Sequence, residues 1–249
     1  MQLQLIRGAT LRLCYGGHWL LVDPCLAAKH ALPSFAGRSP NPLGDLPCSP
    51  DEVLAGIEAT LISHWHSDHF DPAAQALLPR EMPLLCQPRD VAALRAQGFR
   101  RVTPLRGTVT WRGMAITRTA GQHGSGAVLA EMGPVSGFVL RAEGEPTVYW
   151  AGDTVWCGAV ARVLAEAQPA VVITHSSGAV WGPGTLIVMD AAQTVAVCEA
   201  APQAIVVATH MDSFDHGTVS RQSLRAYASA HGIAPDRLLI PADGERLSF

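Results

Sequence analysis

The 249-residue sequence predicts a layered α/β domain built on a single core. Three observations lead there. The first 23 residues alternate apolar and polar positions as strands do. From about residue 59 onward, apolar strand candidates alternate with helix candidates. Hydrophobic residues make up 48% of the chain against 16% charged, enough apolar material for a sizeable core and too little charge for a disordered chain.

The elements follow in order. Gln2 to Arg7 and Thr10 to Tyr15 alternate, Gly16-Gly17 supplies a two-residue hairpin turn, and His18 to Asp23 returns as an apolar strand. Pro24 to Pro50 is rich in Pro, Gly, Ser and Asn without periodicity, so it is predicted as a long loop that serves as a pocket wall. Ser49-Pro50-Asp51-Glu52 combines an N-cap serine, a proline at the first helical position and a glutamate three residues after the cap, the signature of a short helix to about Ile57. Further strands are predicted over Ala59 to Ser63, Pro83 to Gln87, Arg101 to Leu105, Met114 to Ala120, Gly137 to Arg141, Thr147 to Ala151, Ala170 to Thr174, Ile205 to Thr209 and Leu238 to Pro241. Helices are predicted over Pro72 to Leu78, Asp90 to Gln97, Ala159 to Ala167, Asp190 to Ala200 and Thr218 to His231. No linker or short-period repeat divides the chain, which is expected to form one domain over 1–249. Periodicity alone leaves open whether the strands form one sheet or two.

Ten histidines are the unusual number in the composition, and their placement carries the chemistry. Ser63-His64-Trp65-His66-Ser67-Asp68-His69-Phe70-Asp71-Pro72 puts three imidazoles and two carboxylates directly after an apolar strand, and Asp71-Pro72 is itself a helix start. The cluster therefore spans a strand's C-terminal end and a helix's N-terminal end, where α/β proteins commonly carry their sites. His64 and His66, two apart, project from one side if extended, whereas Asp68 and His69 diverge and suit a second centre. Converging neutral imidazoles and carboxylates are what a divalent-metal site requires and a plain turn does not. His123, Asp153 and His210 likewise follow apolar strands. Singly, each has an ordinary reading as a turn residue, a helix cap or a hydrogen-bonded core histidine; jointly, all three sit at strand exits that a layered fold can bring to one edge.

At this point the sequence resembles the metallo-β-lactamase superfamily. His64-x-His66-x-Asp68-His69 matches its HxHxDH signature, followed in order by a histidine (His123), an aspartate in a Gly-Asp-Thr context (Asp153) and a last histidine after a strand (His210). Leu21-Val22-Asp23-Pro24 is similar to the family's early strand ending in an aspartate that supports the metal loop. The closer similarity is to the UlaG-like branch, which includes ascorbate-6-phosphate lactonase. It rests on Ala9 to Leu13, Gly121-Gln122-His123-Gly124, Ala151 to Trp156 and His210 to Arg221.

The resemblance implies a four-layer αββα sandwich with a dinuclear site at one edge. It assigns His64, His66 and His123 to one metal, Asp68, His69 and His210 to the other, and Asp153 to the bridge. The implied cofactor is two divalent metal ions, Zn first, with Mn or Fe as alternatives since the bridge is an oxygen ligand. The implied reaction is attack by a metal-bridging hydroxide on a small ester, lactone or phosphorylated metabolite, with Asp68 orienting the nucleophile and helping to protonate the leaving group. Many β-lactamases proper carry cysteine where this chain has Asp153, which argues against antibiotic hydrolysis. His175 competes with His210 as the last ligand, although the family match falls on His210; with Ser176 and Ser177, His175 is expected to line the pocket. His216 is a candidate proton donor or substrate contact.

Lys+Arg 18 against Asp+Glu 21 gives a formal net charge of -3, no positive field to recruit nucleic acid or anionic lipid. The only lysine is Lys29. Two divalent ions would offset the acidic balance at the site and admit an anionic small-molecule substrate. No apolar run reaches the roughly 18 residues of a membrane span, and the start lacks a secretion signal's pattern. Six scattered cysteines without a CxxC suit reduced thiols, hence a cytoplasmic location. Exposed parts of an apolar-rich chain make a homo-oligomer an expectation. The rival readings are a phosphodiesterase of the same superfamily and an iron-dependent oxidoreductase such as a persulfide dioxygenase, which uses one iron where this chain offers ligands for two metals. Trp181 and Met189 are expected as apolar pocket walls.

Overall fold

In the computed structural model, which describes residues 1–249, the strands resolve into two seven-stranded sheets. The first contains β1 (Gln2–Arg7), β2 (Thr10–Tyr15), β3 (His18–Val22), β4 (Ala59–Ile62), β5 (Leu84–Cys86) and β6 (Val102–Pro104). The second contains β7 (Thr108–Trp111), β8 (Met114–Ala120), β9 (Ser136–Arg141), β10 (Val148–Trp150) and β11 (Val171–His175). After a separate hairpin of β12 (Val180–Trp181) and β13 (Thr185–Leu186), β14 (Ile205–Thr209) and β15 (Leu238–Leu239) complete the second sheet, and β16 (Arg246–Ser248) returns to the first beside β1. The helices are α1 (Pro50–Leu54), α2 (Pro72–Leu77), α3 (Val91–Ala96), α4 (Gly126–Met132), α5 (Gly158–Ala167), α6 (Ala191–Ala200) and α7 (Arg221–Ala230).

The period of two along each strand sorts side chains into separate cores. Leu3 and Leu5 of β1, Val148 and Trp150 of β10, and Val171 and Ile173 of β11 meet between the sheets. On the outer face of the second sheet, Tyr149, Val172 and Val206 pack with Val160 and Leu164 of α5, Val195 of α6 and Leu224 of α7. On the outer face of the first, Ile6, Leu21, Ile62 and Leu84 pack with Val53 of α1, Ala74 of α2 and Leu94 of α3. Helices outside two facing sheets make the αββα order that the family resemblance implies.

Strand direction brings the candidate residues to one edge. β3 through β6 run parallel, so Asp23 and the Ser63–Asp71 segment leave from the same end. β10, β11 and β14 are parallel, and β8 reaches β10 through two antiparallel pairings, so their exits at His123, Asp153, His175 and His210 also coincide. The helix starts match the sequence signals. Ser49 and Glu52 form a complete capping box, and Asp71 caps α2 through the N–H groups of Ala73 and Ala74.

Several boundaries and elements depart from expectation. α1 stops at Leu54 because Gly56 turns into the left-handed region at φ 73°, ending the helix short of Ile57. α7 starts at Arg221, where Ser220 and Ser223 cap it, while the Thr218 hydroxyl donates to the Gly178 carbonyl instead. β7, β16, the β12–β13 hairpin and α4 were unpredicted. β7 alternates exposed and half-buried residues and has no apolar face to reveal it; α4 is one short stretch between Ser125 and Gly133. The six cysteines are unpaired, and no helix is long and apolar enough to cross a membrane. Leu77 is the one exposed large hydrophobic residue.

Candidate metal centre

All seven predicted ligand candidates meet at the shared sheet edge. Donor atoms of His64, His66 and His123 lie within 4.8 Å of one another, as do those of His69, Asp153, His175 and His210. Asp68 Oδ2 joins the second group, 3.5 Å from His210 Nε2 and 3.8 Å from His69 Nε2. Asp153 stands between the groups: its Oδ2 is 3.1 Å from His69 Nε2 and 3.5 Å from His123 Nε2. The first sheet supplies His64, His66, Asp68 and His69; the second supplies His123, Asp153 and His210.

The surrounding hydrogen bonds fix which nitrogens face inward. The Ser63 hydroxyl donates to Asp23 Oδ2 at 2.6 Å, so its oxygen accepts from His64 Nδ1–H at 2.8 Å, leaving a lone pair on His64 Nε2. Asp23 Oδ2 also accepts from His69 Nδ1–H at 2.6 Å, and the Ile187 carbonyl accepts from His123 Nδ1–H at 2.8 Å. These outer partners present His69 Nε2 and His123 Nε2 to the interior, the arrangement metal-bound imidazoles show. Asp23 is fully buried and holds φ 42°, a strained backbone for a non-glycine residue that the Thr10 hydroxyl's bond to its carbonyl helps to maintain. His210 is also left-handed at φ 66°, its N–H donating to the Gly8 carbonyl of the β1–β2 turn.

These residues fit a metal on electrostatic grounds. His64 Nε2 faces His66 Nδ1 at 3.0 Å, and His69 Nε2 faces His210 Nε2 at 3.3 Å, so each close pair needs a proton or a metal cation between its nitrogens. Burial, reinforced by the neighbouring imidazoles of His69 and His66, drives the His64 pKa well below its ordinary value and keeps the ring a neutral donor. Burial lowers His123 as well. At His69 burial opposes protonation, but Asp153, Asp68 and Asp23 together outweigh it and hold its pKa well above the usual range: the site demands positive charge.

His175 is placed otherwise than expected. It is fully buried behind Asp153, donating from Nδ1 to Asp153 Oδ1 at 2.6 Å, and it does not line the pocket. Ser176 and Ser177 are buried with it. Burial pushes the His175 pKa down to about 4 against the pull of Asp153. Met189, expected as a pocket wall, is fully buried in the outer core of the second sheet. His216 does reach the site: Nε2 is 4.0 Å from Asp68 Oδ2 and its ring meets Phe35 edge-on at 5.1 Å.

A cavity of about 360 Å³ opens on the cluster. Its floor is His66, Ser67, Asp68, His123, Asp153 and His216, and its walls are Phe35, Trp65, Met132, Trp181 and Ile187 with Glu131. Trp181 is fixed by its indole N–H, which donates to Glu131 Oε1 at 2.8 Å. No Arg or Lys lines this cavity; Arg89 lines an adjoining space of about 180 Å³ that shares Trp65, His66, Glu131 and Met132 with it. Of the walls, sequence reasoning identified Trp181 and the 24–50 loop. Ser63, Phe35, Trp65, Glu131, Met132 and Ile187 carried no individual signal beyond adjacency to a predicted ligand or loop.

Comparisons with known proteins identify the family and the fold. The family model described as the beta-lactamase superfamily domain matches residues 18–211. The protein YddR of Bacillus subtilis, described as a UPF0173 protein, is 32% identical over 255 aligned residues, covering 100% of both chains. A solved isothiocyanate hydrolase from Delia radicum gut bacteria superposes with a TM-score of 0.95 at 38% identity, covering 100% of this chain and 99% of that one. A possible metal-dependent hydrolase from Veillonella parvula superposes with a TM-score of 0.96 at 31% identity, with the same coverage.

Proposed function

Because the chain belongs to the metallo-β-lactamase superfamily of metal-dependent hydrolases, we propose that it cleaves small, neutral, apolar-tailed electrophiles, isothiocyanates first and simple esters or lactones second. The cavity carries this reading. Its walls are aromatic and aliphatic and hold no cationic side chain, so away from the metal floor nothing pairs with a charged group on the tail, whereas an uncharged tail packs well there. The isothiocyanate hydrolase that this chain resembles at 38% identity supplies the specific electrophile.

Two divalent cations are proposed, one with His64, His66 and His123, the other with Asp68, His69 and His210, and Asp153 shared. Five imidazoles with two carboxylates suit Zn best, then Mn or Fe. Such ions supply Lewis acidity and an acidified water near neutral pH. The chain's own residues do the rest. Asp23 and Ser63 orient His64 and His69; the Ile187 carbonyl orients His123. Asp68, whose carboxylate lies on the cavity floor, takes a proton from the attacking water through the oxygen not given to the metal and returns it to the leaving atom. His216, alongside Asp68, faces the same space and is the second proton-carrying group. For an isothiocyanate, water oxygen adds to the central carbon and the C=N electron pair moves to nitrogen, which is protonated. The remaining hydroxyl proton of the thiocarbamic acid then passes to the same nitrogen as its bond to the central carbon breaks, the electron pair leaving with nitrogen, and the amine and carbonyl sulfide are released. The aromatic walls seat the tail and exclude bulk water from it.

The test is a substrate panel on zinc-, manganese- and iron-loaded protein: benzyl isothiocyanate, phenyl acetate, an apolar γ-lactone, bis(p-nitrophenyl) phosphate and glutathione persulfide. The expected result is fastest turnover of the isothiocyanate, with amine released stoichiometrically. Preferred cleavage of the phosphodiester, or oxygen uptake with the persulfide, would overturn the proposal.

A further inference from the structure

The long loop before α1 sends one side chain into the cavity, Phe35, and a carboxylate from a distant part of the chain holds it there. Asp215 lies between β14 and α7, is 5% exposed, and does not line the cavity. Its two oxygens accept hydrogen bonds from six donors, all within residues 34–41. They are the Ser34 hydroxyl, the backbone N–H groups of Phe35 at 2.8 Å, Ala36, Arg38 at 3.1 Å and Ser39, and the Asn41 amide at 2.9 Å. Asn41 answers through its Oδ1, which accepts from Asp215 N–H at 2.8 Å. Only an ionised carboxylate offers so many acceptor sites with no donor of its own. The loop wraps around Asp215, and Phe35 leaves the wrapped turn to stack on Phe214, with ring centroids 5.9 Å apart and planes 17° from parallel.

We propose that Asp215 is a positioning residue for specificity: it fixes the 34–41 turn so that Phe35 walls the cavity, and the enzyme thereby prefers substrates with a ring-sized apolar tail. This rests on the neutral, apolar-tailed substrate class proposed above. Trp181, tied to Glu131, forms another wall of the same cavity, so losing Phe35 leaves the tail only partly enclosed.

The test uses full-length, metal-loaded protein and the variants Asp215→Asn, Phe35→Ala and Asn41→Ala. Binding of 2-phenylethanol is followed by tryptophan fluorescence, and benzyl and methyl isothiocyanate give the kinetics. Wild type should bind 2-phenylethanol, and Asp215→Asn and Phe35→Ala should each weaken it about tenfold, the loss of one aromatic wall. Metal content should stay unchanged. With benzyl isothiocyanate the rise in KM should exceed any fall in kcat, and the preference for benzyl over methyl should collapse in both variants. Equal affinity in Asp215→Asn and wild type, or no binding by wild type, would overturn the inference, as would loss in Asp215→Asn without loss in Phe35→Ala. Should Asp215→Asn fail to fold, Asn41→Ala decides: it removes two of the bonds and should weaken binding measurably, and unchanged affinity there refutes the role. If wild type turns over neither isothiocyanate, the substrate class falls while the binding measurements still judge Asp215.

Discussion

His210 and His175 leave neighbouring parallel strands at the same edge, and both approach Asp153, yet their nitrogens are engaged differently. His210 Nε2 faces His69 Nε2 and Asp68 Oδ2, whereas His175 Nδ1–H is bonded to Asp153 Oδ1 and its Nε2 is buried without a partner. On the proposed assignment the first is a ligand and the second a support for one. His210→Ala should therefore abolish binding of one ion, while His175→Ala should keep both at an affinity lowered about 10–100-fold, the usual cost of removing a ligand's partner. Metal titration of the two variants checks this, and the reverse ranking would show that His175 is the ligand. The candidate ligands were legible in the sequence because each stands at a strand exit beside recognisable neighbours. Ser63 and Asp215 were not, since their roles are made by partners about 40 and 180 positions away, Asp23 for Ser63 and the 34–41 turn for Asp215. Nothing local to either residue encodes those contacts.

At the scale of elements, what could be read was what periodicity carries. β8 and β14 match their predicted spans residue for residue, since each is a run of strand-favouring residues ending at a turn. α4 and the β12–β13 hairpin could not be read so, because seven residues and two pairs of residues are too short to establish a period, although both flank the cavity. Gly137 on β9 shows how tightly the site's strands are matched. A Cβ there would lie 2.6 Å from Thr119 Oγ1 and 2.8 Å from the carbonyl oxygens of Trp150 and Ala151, directly beneath the turn that presents Asp153. Gly137→Ala must push β8 and β10 apart, an overpacking cost of about 1–3 kcal/mol. Thermal denaturation should show the loss, together with weaker metal binding through a displaced Asp153. A variant as stable as wild type would mean that the strands separate freely at this edge.

Over the whole molecule, the layered α/β architecture followed from strand and helix alternation, but the division into two sheets did not, because a strand's own sequence does not name its neighbours. That division matters for stability. The segment after β4 with its four candidate ligands belongs to the first sheet, and His123, Asp153 and His210 to the second, so bound ions would cross-link the layers at an edge otherwise held by packing between them. This edge gathers Asp23, Asp68 and Asp153, all buried, around His69. Removing the ions should loosen the contact between sheets as well as stop the chemistry. A ligand at 100 times its dissociation constant contributes about 2.7 kcal/mol to stability. For a chain of this size that corresponds to a Tm shift on the order of 5–10 °C per site. Chelation should lower the wild-type Tm by at least that amount, and zinc should restore it. Asp153→Ala, lacking the carboxylate shared by both groups, should start from the lower Tm and respond little to either treatment. A wild-type Tm indifferent to chelator, in protein shown to have held metal, would mean that the ions do not join the two sheets.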